Sequence, residues 1–331
     1  MRTVYAWALA VLITLGAVFL QRSTGPGHAR KESLNVLESS YKASFPQSLV
    51  RPRSGSPETQ LTVTLKAKET GWDPLMGALL HYRRTPGTDD FTTVIPSFTT
   101  DKNTLFMNST LPVQPAAGKV EYYIQLIAKD GTIIQSNSSV LRFRNYVPPA
   151  VLILHILLMF FAYLFSNFTG LHALNKQAKT RYYALTALLL ILAGGFILGP
   201  IVQKYAFNVW WAGWPLGRDM TDNKTLVAFL AWLIAYIINR LPRWKPSATP
   251  AAAQTTADDP GTQTTTEATT AQTPSVAPAT QPPTADWRRY LYLAAALITL
   301  VVYSIPHSTA GSQYDYSTGT VTTQREVQSG T

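Results

Sequence analysis

Five stretches of this chain, at residues 4–20, 148–167, 182–203, 225–239 and 290–305, contain no Asp, Glu, Lys or Arg. A helix that crosses a bilayer needs about 20 predominantly apolar residues, so each stretch reads as a membrane span. The run at 225–239 is short, but Lys224 and Arg240 flank it, and such side chains snorkel to the interfaces and lengthen the effective span. Composition agrees: charged residues make up 14% of the 331, against roughly a quarter in soluble domains. The absence of cysteine excludes disulfides, thiolate zinc sites, iron–sulfur ligation and a cysteine nucleophile. With no ionised side chain inside any span, transport through buried ion pairs is disfavoured.

Residues 1–22 read as a signal anchor or a signal peptide, with two features favouring the retained anchor. The apolar run exceeds the usual 7–15 residues of a secretory h-region, and no small-x-small cleavage site follows directly. Lys and Arg set the orientation of the rest. Eight basic residues (Lys176, Lys179, Arg181, Arg240, Arg243, Lys245, Arg288, Arg289) border one set of loops, and five (Arg142, Arg144, Lys204, Arg218, Lys224) the other. The positive-inside rule puts the eight in the cytoplasm. The expectation is a multi-pass protein of the bacterial inner membrane with an N-terminus inside, an exported domain at 30–146, four further helices, and a tail at 307–331 outside.

The exported domain changes period. Residues 61–67 alternate apolar and polar, and residues 120–128 put Val120, Tyr122, Ile124, Leu126 and Ala128 on one face, the pattern of half-buried strands. Asp130-Gly131 marks a hairpin turn. With further candidates at 78–82, 91–96, 104–108 and 139–144, the spacing predicts an all-β immunoglobulin- or fibronectin-III-like sandwich of seven strands. Asn108-Ser-Thr and Asn137-Ser-Ser match the glycosylation pattern, as expected by chance in a chain rich in these residues. The inner loop at 242–286 holds, between Ser247 and Asp286, 12 Thr and 6 Pro and no aromatic residue, a composition that cannot bury a core.

Two features could carry function. The outer loop at 205–223 holds Trp210, Trp211 and Trp214 with Arg218, Asp219 and Asp222. The tryptophans form an interfacial belt or roof a site, and Asp222 is placed to N-cap the fourth span. The second feature is a histidine pair. His155 lies about 9 Å into the second span at 1.5 Å per residue, with Met159 one turn on, and His307 follows the last span. Sharing a ligand, the two would hold a b-type haem, a metal or a quinone; acting singly, His155 would bond between helices.

The loop Gly-Trp-Pro-Leu-Gly-Arg-Asp-Met-Thr-Asp-Asn-Lys (213–224), with the tail Pro-His-Ser-x-x-Gly-Ser-x-x-Asp-Tyr (306–316), resembles a family of bacterial polytopic membrane proteins of no known activity. The likeness covers the second to fifth spans and implies no functional residue. The P-loop, His-Glu-x-x-His and Gly-x-Ser-x-Gly are all missing. The net charge of +10 is spread over juxtamembrane positions, which suits topology and anionic lipids better than nucleic acid. The sequence therefore points to a non-enzymatic accessory, scaffold or assembly subunit of a membrane complex, such as an electron-transfer complex. It would bind other membrane-protein subunits through its sandwich and aromatic loop. The alternative is a redox protein with a site at His155 and His307.

Overall fold

The computed structural model describes residues 3–25, 28–67, 75–87, 89–175, 179–241, 287–305 and 312–322. The Thr/Pro-rich loop at 242–286 and His307 lie outside them.

The first helix, α1 (Thr3–Thr24), leads into a β domain of eleven strands: β1 (Arg30–Val36), β2 (Ser39–Phe45), β3 (Ser48–Val50), β4 (Glu58–Ala67), β5 (Leu75–Thr85), β6 (Thr92–Val94), β7 (Ser97–Asp101), β8 (Thr104–Pro112), β9 (Lys119–Ala128), β10 (Ile133–Gln135) and β11 (Ser139–Arg144). One sheet runs β1-β2-β4-β8-β7. The other runs β3-β11-β9-β5-β6, with β10 against β9. Every pairing is antiparallel except β3 with β11. Side chains alternate along each strand, and the inward sets of both sheets close one core. Tyr41, Phe45, Leu61, Val63, Leu65 and Met107 from the first sheet meet Leu80, Tyr122, Ile124, Leu126, Leu141 and Phe143 from the second. The five-residue alternation read at 120–128 is the buried face of β9. The Tyr122 hydroxyl, in this apolar setting, donates to the Pro46 carbonyl at 2.7 Å; burial raises its pKa well above that of a free phenol.

Four strands, β1, β2, β3 and β7, add to the seven expected; β1, β3 and β7 lack a clean apolar alternation, and β2 shows one only over Tyr41, Ala43 and Phe45. Residues 30–45 are rich in Ser, Lys and Glu, and β7 is exposed at every position. Neither Asn of the glycosylation patterns projects freely. Asn108 accepts from the Thr62 hydroxyl, and Asn137 donates to Glu32.

The helical part follows directly. It comprises α2 (Pro149–Ala173), α3 (Thr180–Ile191), a π-helical segment (Leu192–Leu198), α4 (Gly199–Phe207), α5 (Met220–Arg240) and α6 (Arg289–Ser304). Among the described residues, four helical stretches are long and apolar enough to cross a membrane: α1, α2, the continuous run Thr180–Phe207, and α5. The last, α6, is an apolar helix of 16 residues, about 24 Å long. Small residues let the helices approach closely. A Cβ on Gly170 would come 2.5 Å from Ala296 Cβ in α6, and one on Gly195 2.5 Å from Thr225 Cγ2 in α5. On α1, Trp7 stacks on Phe168 of α2 at 3.8 Å, and the Asn167 amide donates to the Thr14 hydroxyl.

A short hairpin ends the described chain, β12 (Gln313–Asp315) with β13 (Thr320–Thr322). It returns to the β domain.

Candidate functional site

The loop between α4 and α5 is folded by its own polar residues. Asp219 is the N-cap of α5, with Oδ1 accepting from the Thr221 amide at 2.7 Å. This corrects the expectation for Asp222, which falls in the first helical turn. From there it reaches back into the loop and accepts from the Ala212 amide at 2.7 Å. The Ala212 carbonyl in turn accepts from the Asp219 backbone amide at 2.8 Å, so the Asp222 carboxylate and the Asp219 N–H together hold Ala212 over the start of α5. Asn223 adds a third clamp, accepting from the Trp214 amide at 2.7 Å. Gly213 is required by space, because a Cβ there would lie 2.6 Å from Asp222 Cβ. Overpacking of this kind costs about 1–3 kcal/mol. Gly213→Ala is expected to open the clamp, seen as faster hydrogen exchange at the Ala212 amide; unchanged exchange there would refute this account.

The three tryptophans divide. Trp211 turns inward and stacks on Phe196 at 5.3 Å, which in turn packs on Phe229. Trp210 and Trp214 point outward, 57% and 68% exposed, the posture of an interfacial belt. Arg218 is also exposed. The loop thus packs on the helices through Trp211 and leaves the other two tryptophans exposed.

His155 lies on α2 against the π-helical segment. Its Nδ1 donates to the Gly194 carbonyl at 2.9 Å, a carbonyl that also accepts the Gly199 amide across the π-turn. A carbonyl only accepts, so the neutral ring carries its proton on Nδ1 and keeps Nε2 as an acceptor. Among the described residues, no hydrogen bond joins His155 to Asp219 or Asp222. The partner proposed from sequence, His307, lies outside the described residues. His172, near the opposite end of α2, is buried and bonds Thr180 Oγ1 at 2.8 Å. Among the described residues, no group of three or more His, Cys, Asp or Glu side chains is placed to hold a metal.

What sequence reasoning missed is the junction beside the cap. Here the tail hairpin, the loop and the β domain meet. The Arg142 guanidinium on β11 donates to the Ser312 carbonyl at 2.7 Å and sits 4.0 Å over the Phe207 ring at the end of α4. The Ser312 amide faces Asp219 Oδ2 at 3.4 Å. Tyr314 donates its amide to the Ala117 carbonyl, Lys119 Nζ bonds Gln313 Oε1, and Tyr316 donates its hydroxyl to Gln114 Oε1 at 3.0 Å. Asn145, just past β11, donates its amide to the Ala206 carbonyl at 2.9 Å. Lys224 near the start of α5 donates to the Ile305 carbonyl at 2.7 Å. Burial of Arg142 pushes its pKa down to about 10, with Asp219 opposing the shift. The available sequence signal was the tail motif itself, since Ser312, Asp315 and Tyr316 are three of its fixed positions.

No protein-family model matches the chain, and no curated protein matches it. Among solved structures it is similar to Astrotactin-2, described as a conserved vertebrate-specific and perforin-like membrane protein involved in neuronal development. That match has 10% identity and a TM-score of 0.22, covering 53% of this chain and 33% of that one. It is also similar to a family 76 glycoside hydrolase from a bovine Bacteroides thetaiotaomicron strain, at 15% identity and a TM-score of 0.21, covering 63% of this chain and 48% of that one. The chain thus spans less than half the length of either. At these TM-scores neither match bears on fold or function.

Proposed function

We propose that this chain is a non-enzymatic membrane protein that presents its β domain, at a fixed attitude on the outer bilayer surface, to partner subunits. The observation that carries this reading is the junction. Arg142, Asp219, Ser312 and Tyr316 are engaged in joining the β domain, the loop and the tail to one another, which suits a presenting platform better than a reaction centre. The domain's strand order supports an immunoglobulin-like assignment. β2-β4-β8-β7 matches the A-B-E-D sheet and β11-β9-β5 the G-F-C sheet. The fifth crossing (by α6), the inner-membrane location and the periplasmic side of the domain belong to the same proposal.

Native gels of digitonin-solubilised membranes test it. The tagged chain is expected to migrate in an assembly larger than its monomer, and migration as a monomer would sink the reading. A second reading rests on His155, whose free Nε2 could accept from a quinol hydroxyl or ligate a haem iron. A visible spectrum of the purified chain decides this: a Soret band lost in His155→Leu would establish haem ligation and displace the first reading.

A further inference from the structure

At the membrane-facing end of the β domain lie cations that, among the described residues, form no ion pair with an acid. At the end of β11, the Arg51 amide donates to the Arg144 carbonyl at 2.8 Å, and the Arg51 guanidinium donates to Asn145 Oδ1 at 2.7 Å. The Arg53 guanidinium lies 3.3 Å over the ring of Tyr146, itself partly exposed. Arg144 shares the outer face of β11 with Arg142, two residues nearer the membrane. Arg51 and Arg53 therefore contact residues 144–146, which include Arg144, and α2 begins at Pro149.

Lys204 lies on the helix that this strand end meets. The bond from Asn145 to Ala206 brings the end of α4 alongside, and Lys204 Nζ donates only to the Asn208 carbonyl at 3.3 Å, 5.8 Å from the Trp210 ring. Among the described residues, the ion pairs are Arg30–Glu32, Arg83–Glu121 and Arg84–Asp89. None involves Arg51, Arg53, Arg144 or Lys204.

The geometry points to a binding site for the phosphate of an anionic phospholipid headgroup, formed by Arg53, Arg144 and Lys204 and floored by Tyr146 and Trp210. Guanidinium groups match phosphate oxygens in pairs. The two aromatic rings suit the interfacial depth of the headgroup. Arg51 is the positioning residue, since its bonds to Asn145 and Arg144 fix the end of the strand. An uncompensated cation cluster at this level also accounts for basic residues on the side where the positive-inside rule disfavours them. The site stands whether or not the chain works as a subunit of a larger assembly.

The test uses the full chain, delipidated in detergent and titrated with phosphatidylglycerol or phosphatidylcholine, with bound lipid counted by native mass spectrometry. Each basic residue near an anionic surface is worth about 1 kcal/mol, so loss of two is about 30-fold. Arg53→Gln/Arg144→Gln is expected to lose about that much preference for phosphatidylglycerol. Arg53→Lys/Arg144→Lys should keep most of it, and Arg83→Gln, whose wild-type side chain is already paired, should leave it unchanged. A preference retained in the Gln double variant overturns the site. So does displacement of the lipid by millimolar inorganic phosphate, which would mark a free-anion site instead. If the Gln variant misfolds, wild-type protein still decides: its preference must weaken as salt screens the cluster.

Discussion

Trp232→Ala is expected to destabilise the helical part by about 3 kcal/mol, near the low end for loss of a buried tryptophan. Trp232 is fully buried at mid-length of α5. Its Nε1 reaches Ser166 Oγ of α2 at 3.2 Å and Thr299 Oγ1 of α6 at 3.0 Å, and its ring stacks on Tyr292. One side chain thus ties three helices. In lipid there is little hydrophobic drive between helices, so packing and hydrogen bonds carry the association. Alanine removes both, while phenylalanine fills most of the volume and removes only the bonds. Intramembrane hydrogen bonds average about 0.6 kcal/mol, and Thr299 keeps its bond to the Ala295 carbonyl. Trp232→Phe should therefore cost only about 1 kcal/mol. Unfolding of the reconstituted chain by SDS, followed by circular dichroism, checks both values. An alanine variant within about 0.5 kcal/mol of wild type would refute the role, because such a loss is ordinary for a surface substitution.

Trp232 also shows where sequence reading stopped. The apolar runs identify the helices because a bilayer demands length and lack of charge, properties of a local window. What a helix touches is not local. Ser166, Trp232 and Thr299 lie in three separate runs, and only their polarity at mid-span hints at shared bonds. The β domain behaves similarly. β4, β9 and β11 alternate cleanly and were legible, whereas β7 is exposed throughout and β1 is mostly polar. The pairing of those two is set by neighbouring strands, so period alone could not find them; β2 carries a short alternation in Tyr41, Ala43 and Phe45 that period does reveal.

The candidate site was legible in its residues and misread in its roles. Asp219 and Asp222 both have the chemistry of a cap. Only the loop's path, which brings Ala212 over the start of α5, determines that Asp219 caps the helix and Asp222 holds the loop. The tryptophans are alike in sequence, yet Trp211 is drawn inward by Phe196 while its neighbours stay out. Docking of the tail needed residues 170 to 202 positions apart in the chain. Gly118 admits it, since a Cβ there would lie 3.0 Å from the Tyr316 hydroxyl, and no pattern near residue 118 announces a partner two hundred residues away.

Ending the chain after residue 311 should release the β domain from its fixed attitude. The hairpin is held to that domain through Ala117, Gln114, Lys119 and Arg142, and through Ser312 it also faces Asp219. Its removal leaves Arg142 with the Phe207 ring but without the Ser312 carbonyl. A largely buried charge that loses a hydrogen-bond partner costs about 1.5–3 kcal/mol, enough to favour reorientation of the domain over retention of the junction. The chain has no cysteine, so spin labels placed through Ser97→Cys and Val227→Cys report the attitude directly. A narrow distance distribution in the full chain should broaden in the truncated one, and identical distributions would refute the strap. Alkali should act in the same direction. Burial raises the Tyr316 pKa to about 12 from 10, so the docked tail holds its proton where a free tail loses it. That contribution is fully present below pH 10 and disappears as pH rises from 10 towards 12. The distribution should broaden across that window in wild type. In Tyr316→Phe, which lacks the titrating hydroxyl, the same rise should produce no broadening of this origin.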